Sequence, residues 1–172
     1  MGVVALIALG GNLGAVAESM AAARGAMAAL PQLSLSACSS LYRTAAVTPD
    51  AQPDYLNAVV VVEVGRALPA AQLLQEMHGI ERQFGRIRAE RWGARTLDLD
   101  LLSYGDLCCD ETALQLPHPR MVERHFVLAP LVEVAPEWVH PRLSVTARQL
   151  YADLLARGGE LPLCRVAAAD GW

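Results

Sequence analysis

Two aspartates that alternate with leucines are the clearest candidates for chemistry in this sequence. Residues 97–102 read Leu-Asp-Leu-Asp-Leu-Leu, and this period of two predicts a β-strand with Asp98 and Asp100 on one face. Residues two apart on a strand face are about 6.5–7 Å from each other. We expect such a pair to hold Mg²⁺, because this cation takes one or two carboxylates and completes its shell with waters and phosphate oxygens.

The segment before this strand carries residue types that bind phosphate groups and flat rings. It holds four arginines around the pair Trp92-Gly93, and these arginines are Arg86, Arg88, Arg91 and Arg95. Guanidinium groups match phosphate oxygens in bidentate geometry, and tryptophan offers a surface for a planar ring. Alternating aspartates alone are more typical of a solvated strand face, and an Arg-rich loop alone is more typical of plain surface. Their direct succession favours polyphosphate chemistry.

Length and composition limit the class of protein. A chain of 172 residues suits one domain with a hydrophobic core, so we expect a single domain over 1–172 with a loosely packed tail from about residue 158. No apolar run is long enough for a membrane span, and no signal peptide is expected. The cysteines form no CxxC pair, so we interpret them as free thiols of a cytoplasmic protein.

The charge distribution points to a small anionic ligand. A net charge of −4 argues against general nucleic-acid binding, although residues 81–95 hold five arginines and two glutamates. All 14 basic residues are arginine, which excludes a P-loop and a protein kinase, since both need a lysine. Any nucleotide would therefore be held by arginine and Mg²⁺.

The apolar pattern predicts two strand–helix–strand halves. We expect strands at 3–9, 33–42, 55–64, 97–102 and 107–109, and helices at 15–30, 69–84 and 143–155. Residues 43–54, with two prolines, suit a binding loop. This order predicts an α+β sandwich of the ferredoxin-like βαββαβ type with additional C-terminal helices.

Two polar residues outside the aspartate strand have both a functional and a structural interpretation. Asn57 is unusual inside a strand; its amide could read the donor–acceptor edge of a heterocycle, or it could bond the local backbone. His118 lies between Pro117 and Pro119, which aim its ring, and with Arg124 it could touch a phosphate or ribose. The alternative is a turn histidine near solvent.

These segments together resemble the 6-hydroxymethyl-7,8-dihydropterin pyrophosphokinases of folate biosynthesis. The shared segments are ALGGNLG at 8–14, YRT at 42–44, QPDYLNA at 52–58, the block 85–100, and PHPRM at 117–121 with Arg124, Phe126 and Leu128. The R-W-G-x-R-x-x-D-x-D element is highly specific. The resemblance implies a ferredoxin-like fold and transfer of pyrophosphate from ATP to the hydroxymethyl oxygen of the pterin, leaving AMP, with two Mg²⁺ ions.

The resemblance also implies roles for individual residues. Those on the metal or the transferring phosphates are Asp98, Asp100, Arg86 and Arg95. Those that contact ATP are His78, Arg88, Arg91, Trp92, Arg95, Leu101, His118 and Arg124. Those of the pterin pocket are Thr44, Ala45, Val47, Tyr55, Asn57, Trp92 and Phe126, with Tyr55 and Phe126 sandwiching the ring. Glu81 matches an acid near the active site whose role stays open, and the base that takes the hydroxyl proton is not identified.

Three departures and two alternatives accompany this interpretation. Ala94 replaces a usual proline before Arg95, and Ala45 and Ala46 replace prolines of the pterin loop, so we expect looser loops without loss of activity. A magnesium-dependent nucleotidyltransferase would also place Asp-x-Asp on a strand. A ferredoxin-like binding module without catalysis is the second alternative. We expect a monomer that binds small molecules, with the next enzyme of the folate pathway as a candidate partner.

Overall fold

The computed structural model describes residues 2–46, 53–84, 97–158, 163–167 and 172. The first part of the chain holds β1 (Val3–Gly11), α1 (Val16–Ala28), β2 (Leu33–Cys38), β3 (Leu41–Thr44), β4 (Tyr55–Val64) and α2 (Ala70–Gln83). The second part holds β5 (Asp98–Tyr104), β6 (Cys109–Glu111), β7 (Leu114–Leu116), a 3-10 turn (Met121–Glu123), α3 (His125–Val134), α4 (Ala147–Ala156) and β8 (Leu163–Ala167).

The strands described form a six-stranded sheet and a separate hairpin. The sheet order is β5-β1-β4-β3-β8, with β2 also paired to β4, and β6 pairs with β7. The pairs β1–β4 and β1–β5 are both antiparallel. With β2 and β3 together taking the place of one strand, this is the strand order of a ferredoxin-like sheet, so the predicted α+β class is confirmed.

The predicted strand 33–42 is in fact two strands, because a serine interrupts the pairing. β2 pairs with the end of β4 near Val60–Val64, whereas β3 pairs with its beginning at Tyr55–Asn57. Between them, the Ser39 backbone N–H donates to the Val59 carbonyl at 2.9 Å, and the Ser39 hydroxyl accepts the Val59 N–H at 3.0 Å. A side chain thus replaces one step of the backbone ladder, and the strand breaks there.

Helices cover both faces of the sheet. Ile7, Leu9 and Leu99 point to the side of α1 and α2, where they pack with Met20, Leu73 and Met77. Leu6, Val59 and Leu102 point to the side of α3 and α4, where they pack with Leu128, Leu131 and Leu150. Because successive strand residues face opposite sides, burial on both sides explains why β1 is apolar over consecutive residues. Within the described ranges, no helix has the length and apolar character to cross a bilayer.

Two parts of the chain beyond residue 158 are described, and the loosely packed tail expected from about that residue stays a prediction. Leu163–Ala167 adds β8 to the sheet beside β3. Trp172 is 7% exposed, its indole N–H donates to the Ser39 carbonyl at 2.9 Å, and the Arg24 guanidinium lies 4.9 Å from its ring centroid. The tryptophan is held because an aromatic ring with a buried N–H needs both apolar contact and an acceptor. The division of 1–172 as a single domain stays a prediction.

Two elements begin later in the chain than the sequence predicts, namely the last helix and the return strand after β5. The last helix begins at Ala147, because Thr146 caps it by accepting the Gln149 N–H at 3.2 Å, and residues 139–146 form a turn closed by a Val139–Thr146 bridge. The return strand begins at Cys109 and pairs with β7. All four cysteines are free thiols, as predicted.

A glutamate on α3 ties this helix to β3. Glu133 Oε1 accepts the Ser40 backbone N–H at 3.1 Å and the Ser40 hydroxyl at 2.7 Å, and Oε2 accepts the Tyr42 hydroxyl at 2.8 Å. Burial and the hydrogen bond to Glu133 raise the pKa of Tyr42 to about 12. Burial acts to raise the pKa of Glu133, but the hydrogen bonds from Ser40 and Tyr42 outweigh it and lower that pKa.

Substituting this glutamate should reveal a pH-dependent contribution to stability. A depressed pKa in the folded state stabilises the fold above the ordinary value of 4.5, and the gain is lost as pH falls through the folded value. We expect Glu133→Gln to lower the free energy of unfolding by about 1 kcal/mol at pH 7, a figure reduced for solvent screening. Urea unfolding at pH 7 and pH 3 measures this.

The control is Glu137→Gln, which breaks an exposed ion pair with Arg148 at 2.8 Å. We expect it to cost less than Glu133→Gln at pH 7, because exposed ion pairs contribute little. A loss for Glu133→Gln of the same size at both pH values would contradict the assigned role of the charge.

Candidate active site

Strand β5 presents the two aspartates on the α3 side of the sheet. Leu97, Leu99 and Leu101 are at most 4% exposed and pack in the core under α1 and α2. Asp98 and Asp100 alternate with them and are half-buried. Burial of the leucines therefore fixes which way the carboxylates point, and the predicted alternating strand is confirmed.

Asp100 lies in a small cluster of charged and polar side chains. The Arg124 guanidinium approaches Asp100 Oδ2 to 3.4 Å, and His118 Nε2 lies 4.0 Å from the same oxygen. The carbonyl of Arg124 accepts N–H bonds from Val127 and Leu128 at the start of α3, which places its side chain at the helix entrance. The cluster joins β5 to the chain between β7 and α3.

The ring of His118 is held in one orientation. Its Nδ1 accepts the Arg120 backbone N–H at 3.2 Å, and its own backbone N–H donates to the Leu102 carbonyl at 2.9 Å. In the neutral ring, the proton is therefore on Nε2, which faces Asp100. Burial lowers the pKa of His118; Asp100 opposes this shift and Arg124 adds to it. At neutral pH the ring is thus an uncharged hydrogen-bond donor beside the carboxylate.

Asn57 lies in the same row of the sheet as Asp98. Gly10 of β1 pairs with Asp98 on one side and with Asn57 on the other. Two strand spacings separate the backbones of Asp98 and Asn57 by about 9.5 Å. Asn57 is 7% exposed, and its Nδ2 donates to the Thr44 hydroxyl at 3.2 Å. Its partner is therefore a neighbouring side chain rather than only the local backbone, which the sequence left open.

Two aromatic residues stand near this row. Tyr55, half-buried, pairs with Thr44 at the start of β4 and shares the sheet face of Asn57 by the alternation of the strand. Phe126, half-buried, belongs to the apolar cluster under α3, with the Arg124 guanidinium 5.8 Å from its ring centroid. Arg124 thus lies between the carboxylate of Asp100 and the ring of Phe126.

The structure brings most of the described candidates to one side of the sheet. Those on the α3 side are Thr44, Tyr55, Asn57, Asp98, Asp100, His118, Arg124 and Phe126. Ala45 follows β3 and is exposed. Leu101 is different: its side chain is 4% exposed in the core on the opposite side, so only its backbone is available to a nucleotide. His78 is half-buried on α2, the helix of that opposite side.

Several predicted residues lie outside the described part of the chain. They are Val47, Arg86, Arg88, Arg91, Trp92 and Arg95. Their assigned roles stay predictions, as does the effect of Ala94.

Two polar residues of this region were not given a role from the sequence. Asn12 is 2% exposed, and its Nδ2 donates to the Pro53 carbonyl at 3.2 Å, just before β4. Glu81 is 2% exposed and accepts the Leu99 N–H at 2.7 Å. A signal for Glu81 was present, since it continues the helical stripe of Leu73, Met77 and Ile80, where a charged residue needs a partner.

The donor set fits a hard cation with few protein ligands. Within the described ranges, no group of three or more His, Cys, Asp or Glu side chains is arranged around a common point. Asp98 and Asp100 offer only oxygen atoms, are accessible, and stand on one face of a strand. Mg²⁺ is commonly bound by one or two carboxylates and otherwise by water and phosphate oxygens, so the pair fits this ion.

Comparison with known proteins places the chain in a family. Residues 6–136 match the family model described as 7,8-dihydro-6-hydroxymethylpterin-pyrophosphokinase (HPPK). Two similar proteins are both named 2-amino-4-hydroxy-6-hydroxymethyldihydropteridine pyrophosphokinase. The one from Synechocystis sp. is 47% identical over 146 residues, 85% of this chain and 73% of that protein. The one from Haemophilus influenzae is 41% identical over 143 residues, 83% of this chain and 88% of that protein.

A solved structure shares the fold. The crystal structure of wild-type Plasmodium falciparum HPPK-DHPS with pteroate superimposes with a TM-score of 0.71 at 14% identity, covering 91% of this chain. The present chain spans 45% of that protein. The family model and the similar sequences, together with the aspartate strand, show that this chain belongs to the 7,8-dihydro-6-hydroxymethylpterin-pyrophosphokinase family.

Proposed function

We propose that this chain transfers pyrophosphate from ATP to the hydroxymethyl oxygen of 6-hydroxymethyl-7,8-dihydropterin and releases AMP, as in folate biosynthesis. Family membership supports the reaction class. The observation that supports the proposal is the row Asp98–Gly10–Asn57, in which a carboxylate and an amide share one sheet face. We assign cation binding to the carboxylate and recognition of the heterocycle to the amide. Their separation of about 9.5 Å suits a ring with a short arm that ends at phosphate.

The pterin binds at the Asn57 end of the row. The Asn57 amide carries both donors and an acceptor, and its bond to Thr44 fixes its plane, so it can recognise the paired donor and acceptor groups of a pterin edge. Tyr55 and Phe126 hold the two faces of the ring, and Val47 and Trp92 complete the pocket. Fixing the ring in this way orients the hydroxymethyl arm toward β5 and reduces the entropy lost in the reaction.

The triphosphate binds at the Asp98 and Asp100 end. The two carboxylates hold Mg²⁺, which when bound supplies charge neutralisation and Lewis acidity to the phosphates. Arg124 and the neutral His118 direct N–H donors at this position, where they orient the nucleotide. Arg86 and Arg95 add charge to the transferring phosphates, and Arg88, Arg91 and Trp92 contact ATP. Phosphoryl-type transfer requires mainly positioning and charge stabilisation, which these groups provide.

Phosphorus NMR of the products tests this reaction. Enzyme, ATP, magnesium and the hydroxymethyl-dihydropterin should yield AMP and a pterin diphosphate ester. Release of free pyrophosphate would instead indicate a nucleotidyltransferase. Absence of turnover, together with calorimetric binding of a non-hydrolysable ATP analogue that is indifferent to magnesium, would indicate a binding module. The monomeric state, the cytoplasmic location and any association with the next pathway enzyme stay predictions.

A methyl group at Gly10 should disturb pterin binding. A Cβ at this position would lie 3.0 Å from Asn57 Oδ1 and 3.7 Å from the Leu56 carbonyl oxygen. Because Thr44 holds the other end of the amide, we expect the Asn57 side chain to tilt away from its reading position. Loss of one to two hydrogen bonds gives a pterin Kd about 10-fold higher for Gly10→Ala.

Titration calorimetry with the pterin and a non-hydrolysable ATP analogue measures this effect. The matched control is Gly25→Ala, since a Cβ at Gly25 on α1 would meet nothing within 4 Å. The control should bind pterin normally and gain up to about 1 kcal/mol of helix stability. Normal pterin affinity in Gly10→Ala would show that the Asn57 amide does not read the ring.

A further inference from the structure

A buried carboxylate on α2 meets the backbone between the two aspartates. Glu81 Oε1 accepts the N–H of Leu99 at 2.7 Å, and Leu99 lies directly between Asp98 and Asp100. Glu81 is 2% exposed and Leu99 is 2% exposed. A carboxylate this buried requires strong partners, and a hydrogen bond from a backbone N–H to an ionised carboxylate is one of them.

The position of β5 explains why that N–H needs an acceptor. Among the strands described, β5 is outermost and pairs with β1 on its inner side. The Leu99 N–H is directed to α2, not to a strand, and buried backbone donors are costly to leave unpaired. Glu81 therefore substitutes for a neighbouring strand at one peptide of β5, and it does so at the peptide that joins Asp98 to Leu99.

Holding this peptide also holds the aspartates. Fixing the Leu99 N–H sets the plane of the Asp98–Leu99 peptide. Asp98 belongs to this peptide, and Asp100 is the residue that follows Leu99, so the two carboxylates extend from the residues on either side of Leu99. On the Asp100 side, Arg124 contacts the carboxylate itself at 3.4 Å. Glu81 thus constrains the backbone between Asp98 and Asp100 from the α2 side of the sheet. Arg124 contacts the Asp100 carboxylate from the α3 side.

We propose that Glu81 is a positioning residue for the cation-binding pair, acting through the Leu99 N–H and not through its own charge. The inference rests on the proposed function, because it assigns cation binding to Asp98 and Asp100. Residues that orient metal ligands typically affect metal affinity by about 10- to 100-fold when changed. Cation affinity then depends on whether the side chain of residue 81 is long enough to bring an acceptor oxygen to the Leu99 N–H, and not on the charge of that side chain.

Two conservative variants separate reach from charge. Glu81→Gln keeps an acceptor oxygen at the same reach and removes the charge. Glu81→Asp keeps the charge and withdraws the acceptor by one methylene. Glu76→Gln, five residues earlier on α2, controls for a general change in helix charge. Each variant is measured by electron paramagnetic resonance of Mn²⁺ binding with a non-hydrolysable ATP analogue, and by NMR hydrogen exchange at the Leu99 amide.

Positioning predicts opposite results for the two variants. Glu81→Gln should protect the Leu99 amide and bind Mn²⁺ within about 3-fold of the wild type, whereas Glu81→Asp should exchange faster at Leu99 and bind Mn²⁺ about 10-fold more weakly. Faster exchange at Leu99 in Glu81→Asp with unchanged Mn²⁺ affinity would overturn the proposal, because Glu81 would then stabilise the fold without affecting cation binding. Weak binding in Glu81→Gln with a protected amide would assign the effect to charge.

The wild-type measurement distinguishes this inference from the proposed function. Failure of the wild-type protein to bind Mn²⁺ and nucleotide, or to form AMP with magnesium, overturns the proposed function and the inference together. Normal wild-type binding with no difference between Glu81→Gln and Glu81→Asp overturns the inference alone.

Discussion

Replacing either Asp98 or Asp100 with alanine is expected to lower kcat/KM for pyrophosphate transfer by at least about 150-fold, or ~3 kcal/mol of transition-state stabilisation. In the proposed function each carboxylate supplies oxygen to the cation that neutralises the triphosphate, and arginine side chains cannot replace an oxygen ligand. Formation of AMP under saturating magnesium measures the loss. Near-normal turnover in either variant would refute the assignment of the pair.

The design needs variants that separate folding from chemistry. Asp98→Asn and Asp100→Asn keep the side-chain volume on β5 and should lose activity to a similar degree, because an amide is a poorer ligand for a hard cation. Asp106→Ala, in the exposed turn after β5, is the control and should retain full activity. In Asp100→Ala the Arg124 contact at 3.4 Å is also lost, so thermal unfolding of each variant accompanies the assay.

The second large effect is expected at Asn57. Asn57→Leu replaces a buried amide with an apolar side chain of similar size, so the polar edge of the proposed pterin would lose the partner that the amide provides. A buried polar group left unpaired costs about 1–3 kcal/mol, and the middle of this range corresponds to a fall in pterin affinity of about 30-fold. Calorimetric titration of the pterin in the presence of the ATP analogue gives the affinity directly.

Nucleotide binding provides the internal control for this variant. Binding of the ATP analogue alone should stay within about 3-fold of the wild type, because Asn57 lies two strand spacings from the aspartates. Thr44→Val removes the hydroxyl that accepts from Asn57 Nδ2 and should have a smaller effect, since it loosens the amide without removing it. An equal loss of nucleotide and pterin affinity in Asn57→Leu would indicate damage to the fold instead.

Local periodicity was sufficient to predict β1, α2 and β5, and to predict that Asp98 and Asp100 share one face of their strand. The strict alternation of 97–102 predicted β5 and the common face of Asp98 and Asp100, because apolar side chains on one face of a strand must be buried. The apolar run of β1 and the heptad-like stripe of α2 were predicted for the same reason. Strand 33–42 was predicted as one element, since periodicity does not show where a serine replaces a backbone pair.

Contacts between distant residues could not be inferred from a single sequence. The bond from Glu81 to Leu99 spans 18 positions, that from Glu133 to Ser40 spans 93, and that from Trp172 to Ser39 spans 133. Each satisfies a buried polar group whose partner depends on how layers pack, not on neighbours in the chain. The pairing of β8 with β3 is likewise a contact between distant segments that periodicity does not show.

The amino-acid sequence by itself determined the strand that carries the two aspartates and, through specific motifs, the family. Tertiary structure alone decided that Gly10 joins Asp98 to Asn57, that Arg124 and His118 meet Asp100, and that Leu101 faces the core on the other side. The physical reason is that side-chain periodicity records which residues are buried. Hydrogen bonds and register across the sheet depend on the three-dimensional pairing of segments far apart in the chain.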